Sequence, residues 1–163
     1  MSQKRMNDLR AKMAAHNLDG ALVTHLDYVR YLTGFTGSAG LLALLPHAAD
    51  FLTDSRYAIQ SRQQVKGAKV TVVTGGLIDG LKNLKSLVGR NTRLGFPGEY
   101  LTTTNRERIA KALPEALLIS ADYLFADMGW VKDSEEIANI KKAVAITDEV
   151  FVRILPLIKP GIG

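Results

Sequence analysis

The 163-residue sequence contains no cysteine. That excludes disulfide bonds and thiolate chemistry, and it leaves histidine and carboxylates as the side chains from which a metal site could be built. No apolar run approaches the roughly eighteen residues that a membrane span needs. The first residues, Met1 to Asp8, lead into an amphipathic pattern and not into the apolar core of a secretory leader. Aromatic residues make up only 7% of the chain, with no aromatic-rich signature of RNA binding, and the five prolines form no linker-like tract. These absences predict a cytoplasmic globular protein with neither membrane nor nucleic acid as a partner. With 47% hydrophobic residues, the chain is long enough for one ordinary domain with a sizeable core, plus an appendage.

A formal net charge of +5 tests the nucleic-acid exclusion. The basic residues fall into three groups: Lys4, Arg5, Arg10 and Lys12; Lys82, Lys85, Arg90 and Arg93; and Arg106, Arg108 and Lys111. Each group is interspersed with apolar positions at helical spacing, the pattern of a solvated helix face and not of a binding stripe.

The periodicities alternate in type along the chain. Met6, Leu9 and Met13 predict an amphipathic helix that Asn17 stops. The continuous apolar run from Ala21 to Thr24 predicts a strand buried on both faces, and a one-turn helix is expected at Tyr28 to Leu32. Leu41 to Leu45 and Phe51 to Thr53 read as a hairpin. A helix follows from Tyr57 to Val65, then a strand from Val70 to Val73 and a helix from Leu77 to Val88 closed by Gly89. Thr92 to Phe96 is expected as a strand, Thr103 or Thr104 as the cap of a helix reaching Leu113, and Ala116 to Ser120 as the last strand. The fold class is therefore α/β: three layers, with a mixed sheet of about six strands flanked by helices, followed by a long C-terminal helix. Asp133 and Glu136 have the spacing of a capping box, and Ile137, Ile140, Val144, Thr147, Phe151 and Ile154 form one apolar stripe along that last helix.

Candidate chemistry is sparse. His16, His25 and His47 lie on three different elements without the spacing of a zinc motif. Gly75-Gly76-Leu77-Ile78-Asp79-Gly80-Leu81-Lys82 has two glycines at P-loop distance, but Leu81 intervenes before the lysine and Asn83 stands where a Mg²⁺-binding hydroxyl is needed. Ser38, His47 and Asp54 supply the residue types of a triad without a nucleophile elbow. More distinctive is Tyr31-Leu32-Thr33-Gly34-Phe35-Thr36-Gly37-Ser38-Ala39-Gly40, a loop of glycines spaced three apart and interleaved with hydroxyls and aromatics. It is followed by Phe51-Leu52-Thr53-Asp54-Ser55-Arg56-Tyr57, a strand running into a polar turn and a helix start.

These two runs, in this order, resemble the amino-terminal domain of the creatinase, prolidase and aminopeptidase P family. Thr92 to Phe96 with Gly98-Glu99, the Val131 to Ile137 run and Ile158-Lys159-Pro160-Gly161 are similar to further family segments. The resemblance implies a domain at 1–129, and at 130–163 a linker with the first helix of a pita-bread catalytic domain. It further implies that the parent protein is an Xaa-Pro aminopeptidase- or dipeptidase-like metallohydrolase with two divalent ions (Mn, Zn or Co). No metal or catalytic residue is expected in this chain, whose isolated form is predicted inactive. Tyr31, Thr33, Gly34, Phe35, Thr36, Gly37 and Ser38 are expected to face a cleft or interface. Asp54, Arg56 and Tyr57 form the second family motif, and Lys132, Glu136, Ile140 and Val144 belong to an interdomain helix. The implied partners are the catalytic domain, a second copy in a homodimer and, for the parent, a proline-containing peptide. A creatinase-like amidinohydrolase and a metal-free protein-binding module of the same architecture are the alternatives. Tyr28, where the family commonly has Asn, and Gly129, where an Arg often stands, depart from the family pattern.

Overall fold

A computed structural model describes residues 2–85 and 88–161. The chain divides into two compact units, Met1–Met128 and Gly129–Gly163.

The first unit is built on a six-stranded sheet of order β4-β3-β2-β1-β5-β6. Its strands are β1 (Gly20–Val23), β2 (Leu41–Leu44), β3 (Ala49–Thr53), β4 (Lys69–Val72), β5 (Thr92–Phe96) and β6 (Ala116–Ser120). β1 and β2, and β2 and β3, pair antiparallel, whereas β1–β5, β3–β4 and β5–β6 pair parallel. The sheet is mixed as the sequence predicts: β2 runs against both its neighbours, entered from β1 through a helix and left by a short hairpin, while the remaining pairs are parallel.

Side-chain alternation divides the core between the two faces of the sheet. Ala21, Val23, Leu42, Leu44 and Phe51 pack with Met6, Leu9 and Met13 of α1 (Ser2–Ala15) and with Val29 and Leu32 of α2 (Leu26–Thr33). Leu22, Leu41, Ala43, Leu52, Leu94 and Phe96 pack on the other face with Leu81, Leu84, Ile109 and Leu113. Every residue of β1 is buried, which explains why it reads as an unbroken apolar run. Arg10 of α1 ties this layer to the hairpin by donating from Nε to the Leu45 carbonyl at 2.9 Å. Asn17 ends α1 with φ 54°, the left-handed conformation expected of a helix stop.

Four expectations are corrected. The helix foreseen from Leu77 to Val88 is a 3₁₀ segment at Asp79–Leu84, and positions 86 and 87 of that expectation lie outside the described residues. Buried Leu81 and Leu84 are three apart, which suits the tighter helix, and a Cβ on Gly80 would lie 2.6 Å from Val73 Cγ1, so the segment sits flat on the sheet. The cap of α4 (Thr103–Ala112) is Thr102 and neither Thr103 nor Thr104; its extended backbone lets its hydroxyl accept from the Asn105 amide at 3.2 Å. The helix at Tyr28 spans eight residues, Leu26–Thr33, and the one expected from Tyr57 to Val65 is a 3₁₀ turn at Ser55–Tyr57 followed by α3 (Ala58–Gln64).

The ends of β5 and β6 are locked together through Asp122. Its Oδ1 accepts from the Glu99 amide at 3.0 Å and its Oδ2 from the Ser120 hydroxyl at 2.9 Å. Chiefly through the Glu99 amide, these bonds hold the Asp122 carboxyl below its usual value, against an opposing effect of burial. A folded pKa below the unfolded one means that the bond stabilises fully above the unfolded aspartate value of about 3.9 and is lost as pH falls through the folded value. Asp122→Ala is expected to lower stability by about 1–2 kcal/mol near neutral pH in urea denaturation. The gap from the unsubstituted chain should then narrow under acid; a gap that stays constant down to about pH 2 would exclude the carboxylate as its source.

The second unit consists of α5 (Ser134–Ile154) and a 3₁₀ turn at Leu155–Leu157. Asp133 Oδ1 accepts from the Glu135 and Glu136 amides and Glu136 Oε2 accepts from the Asp133 amide at 2.9 Å, completing the capping box. Ile137, Ile140, Val144, Phe151 and Ile154 are all exposed. Gly129 opens the unit with φ 79°, a conformation that disfavours a side chain.

Candidate functional site

The two distinctive runs of the sequence meet at one end of the sheet, where β2 begins and β3 finishes. α2 ends at Gly34, whose φ of 81° lets its N–H reach the Arg30 carbonyl at 2.8 Å, and the chain then turns back toward β2. β3 delivers Asp54, Ser55, Arg56 and Tyr57 beside this loop. The Ser38 and Tyr57 hydroxyls are 2.7 Å apart. Gln64 Oε1 accepts from both the amide and the hydroxyl of Thr36, at 2.9 and 3.1 Å, and Gln60 Nε2 donates to Thr36 Oγ1 at 3.1 Å. From below, Thr53 donates its hydroxyl to the Ala39 carbonyl at 2.6 Å.

An aromatic cluster supports the loop. Phe35 lies 4.8 Å from Phe51 and meets Tyr57 edge-on at 5.5 Å, between ring centroids. Gly37 and Gly40 are small because these rings leave no room: a Cβ on Gly37 would lie 2.3 Å from Phe35 Cζ, and one on Gly40 would lie 2.8 Å from Phe51.

The side chains of the loop separate by role. Thr36 and Ser38 are exposed, and Gly37 and Tyr57 are half-buried. Thr33 and Phe35 correct the expectation of a loop that faces a cleft along its whole length. Both are buried: the Thr33 hydroxyl donates to the Val29 carbonyl at 2.7 Å and accepts from the Phe35 amide at 3.2 Å, while the Phe35 ring is part of the core. Tyr31 turns toward α1, where the Arg5 guanidinium lies 4.0 Å over its ring. Gln60 and Gln64 had no signal in the sequence beyond their spacing on one helix face.

Charge at this end of the sheet comes from Asp54 and Arg56. Asp54 Oδ1 caps the turn by accepting from the Arg56 amide at 3.0 Å, and Oδ2 accepts from Arg56 Nη2 at 2.8 Å. The guanidinium, through its side-chain hydrogen bond, holds the Asp54 carboxyl below its usual value, and the carboxylate raises Arg56 in return. The Ser38 hydrogen bond lowers the Tyr57 phenol. The result is a fixed, exposed cation flanked by hydroxyl groups, suited to hydrogen bonding a peptide or carboxylate but without a nucleophile and base pair.

A second aromatic group lies where β1 and β5 end. His25 packs on Tyr100 with centroids 3.8 Å apart, and Tyr28 stacks on Phe125 at 5.2 Å. The departure at Tyr28 thus places a ring inside α2, whose cap residue His25 makes no side-chain cap bond. Among the described residues no three His, Cys, Asp or Glu side chains converge as a metal donor set would, so the residues present do not fit the implied metal pair. No helix among them is long and apolar enough to cross a membrane.

The creatinase/prolidase N-terminal domain family matches residues 5–128. The chain belongs to this family. It is 35% identical over 159 residues, 98% of its length, to an uncharacterised peptidase, YqhT, of Bacillus subtilis, and covers 45% of that protein. An Xaa-Pro dipeptidase structure from Bacillus anthracis superposes with a TM-score of 0.88 at 30% identity, over 99% of this chain and 45% of that one. The N-terminal domain of the cytoplasmic peptidase PepQ from Mycobacterium tuberculosis, solved by itself, matches with a TM-score of 0.64 at 30% identity, over 73% of this chain and 95% of that one. The chain therefore spans under half the length of the peptidases YqhT and Xaa-Pro dipeptidase to which it is similar.

In the second unit, Lys132 donates to the Trp130 carbonyl at 3.3 Å, Glu136 completes the capping box, and Ile140 and Val144 are exposed on α5.

Proposed function

We propose that the chain acts as the non-catalytic amino-terminal domain of an Xaa-Pro aminopeptidase- or dipeptidase-like metallohydrolase, and that its glycine loop walls part of the peptide cleft. The observation that carries this reading is the joining of the two family motifs at one end of the sheet by the Ser38–Tyr57 and Thr36–Gln64 bonds, with Thr36, Ser38 and Arg56 exposed. Kinship with Xaa-Pro peptidases supports it. In this reading residues 1–129 form the domain, and 130–163 form the linker and the first helix of the catalytic domain. The stripe of Ile140 and Val144 would be covered by that domain or by a second copy in a homodimer. Two divalent ions, Mn, Zn or Co, would be held by residues outside this chain. A cytoplasmic location agrees with the lack of cysteine and with the relative described as cytoplasmic.

The test is the product of the complete gene, stripped with EDTA and resupplied with Mn²⁺, Zn²⁺ or Co²⁺. It is expected to cleave an Xaa-Pro peptide only with metal, while the 163-residue chain cleaves none. Turnover of creatine instead would assign the amidinohydrolase alternative, and inertness toward both would leave the protein-binding module. Cleavage by the chain alone would overturn the division of labour.

A further inference from the structure

Bordering the last residue of the glycine loop, Gly40, the same end of the sheet holds a recess. A cavity of about 320 Å³ opens between the end of β1, the segment after β4, and α4. That volume is at the lower end of the range of small-molecule sites. Its position is the one where open sheets with parallel strands bind ligands, at the carboxyl ends of the strands. Thr24 directly follows β1, Leu77 and Ile78 follow β4, and Leu101 follows β5.

Three observations define its chemistry. The Thr24 hydroxyl oxygen is buried without a hydrogen-bond partner, a rare state for a buried polar atom. Among the described residues that line the cavity, Arg108 is the one that carries a charge. Its guanidinium is held in place by Asp79, to which Nη2 donates at 2.7 Å, and by the bare backbone of Gly76, where a Cβ would lie 2.8 Å from Nη2. A guanidinium has five N–H donors, so this bond leaves others for an anion. Asn105 adds an amide, and Leu77, Ile78 and Leu101 supply apolar walls.

We infer that this recess binds a small monocarboxylate with an apolar body, the chemical class of an N-blocked aliphatic amino acid. The carboxylate takes the free donors of Arg108 and the Asn105 amide, the aliphatic part lies on Leu77, Ile78 and Leu101, and a polar group of the ligand meets Thr24. One cation already shared with Asp79 suits a single negative charge better than a phosphate, which usually gathers several donors. The inference stands apart from the peptidase reading.

The test is an ¹⁵N NMR titration of the 163-residue chain with N-acetyl-leucine and with its uncharged analogue, N-acetyl-leucinamide. N-acetyl-leucine is expected to shift the amides of Thr24, Leu77, Asn105 and Arg108 saturably, with the amide analogue at least tenfold weaker. Arg108→Met should weaken binding about tenfold and Thr24→Val severalfold, with the circular dichroism spectrum unchanged. No saturable shift by about 10 mM, equal binding of the two compounds, or shifts confined to other residues would overturn the inference. The comparison of the two compounds decides the matter on the unsubstituted chain even if a variant does not fold.

Discussion

Phe51→Ala is expected to remove about 3–5 kcal/mol of stability, measured as a fall in the urea midpoint at unchanged slope. The ring is fully buried in β3, beside Leu42 on the neighbouring strand. It packs 4.8 Å from Phe35 and fills the space beneath Gly40. Deleting it costs the transfer of the aromatic ring, the cavity left between two well-packed layers, and the tilted ring contact with Phe35, worth about 0.5–1.5 kcal/mol more. Against a total of about 5–15 kcal/mol for a domain of this size, that is a large fraction. Phe51→Leu should lose distinctly less, since it keeps most of the buried volume. A loss under about 1 kcal/mol for the alanine variant would mean that the cluster under the loop lies outside the cooperative core.

Gly37→Ala is the second large effect, and its sign is opposite to the general rule. Replacing glycine by alanine at a compatible backbone position stabilises by about 0.4–1 kcal/mol. Here the new methyl would stand 2.3 Å from Phe35 Cζ and 2.8 Å from Tyr57 Cδ1. Phe35 has nowhere to go, because Phe51 backs it and is itself fully buried. Tyr57 is the partner that can yield, at the cost of the Ser38 bond. A loss of about 1–3 kcal/mol is expected. The Tyr57 phenol should also rise toward its ordinary value, read from the ring-carbon NMR shift against pH, because the hydrogen bond that lowers it is broken. A stabilised variant with an unchanged Tyr57 titration would show that the loop accommodates the methyl without moving the ring.

How much of this could be read from the sequence depends on how local the physics is. β1 was legible because it is buried on both faces, so that pairing and burial impose the same apolar run. The capping box of α5 was legible because its partners are three residues apart. The 3₁₀ segment was not, since Leu81 and Leu84 suit either helix type and only the contact of Gly80 with Val73 decides between them. Three consecutive threonines likewise hid which one caps α4. At the candidate site, family resemblance picked out the two runs, but not that Thr33 and Phe35 turn inward; that follows from the hydroxyl bond to Val29 and from the ring cluster. His25 seemed isolated because Tyr100 reaches it only through the pairing of β1 with β5.

That pairing also orders events as the chain is synthesised. The four strands on one side of the sheet, β1 to β4, are contiguous in sequence and can associate once Val72 has emerged. β1 then keeps one row of backbone donors and acceptors open until Thr92–Phe96 arrives from well downstream. A nascent chain paused between these points would expose a strand edge that the finished sheet holds at its centre. The interval between β4 and β5 is therefore where a chaperone would be of most use to this fold, and where a delay in translation would most favour misassembly with a neighbouring chain.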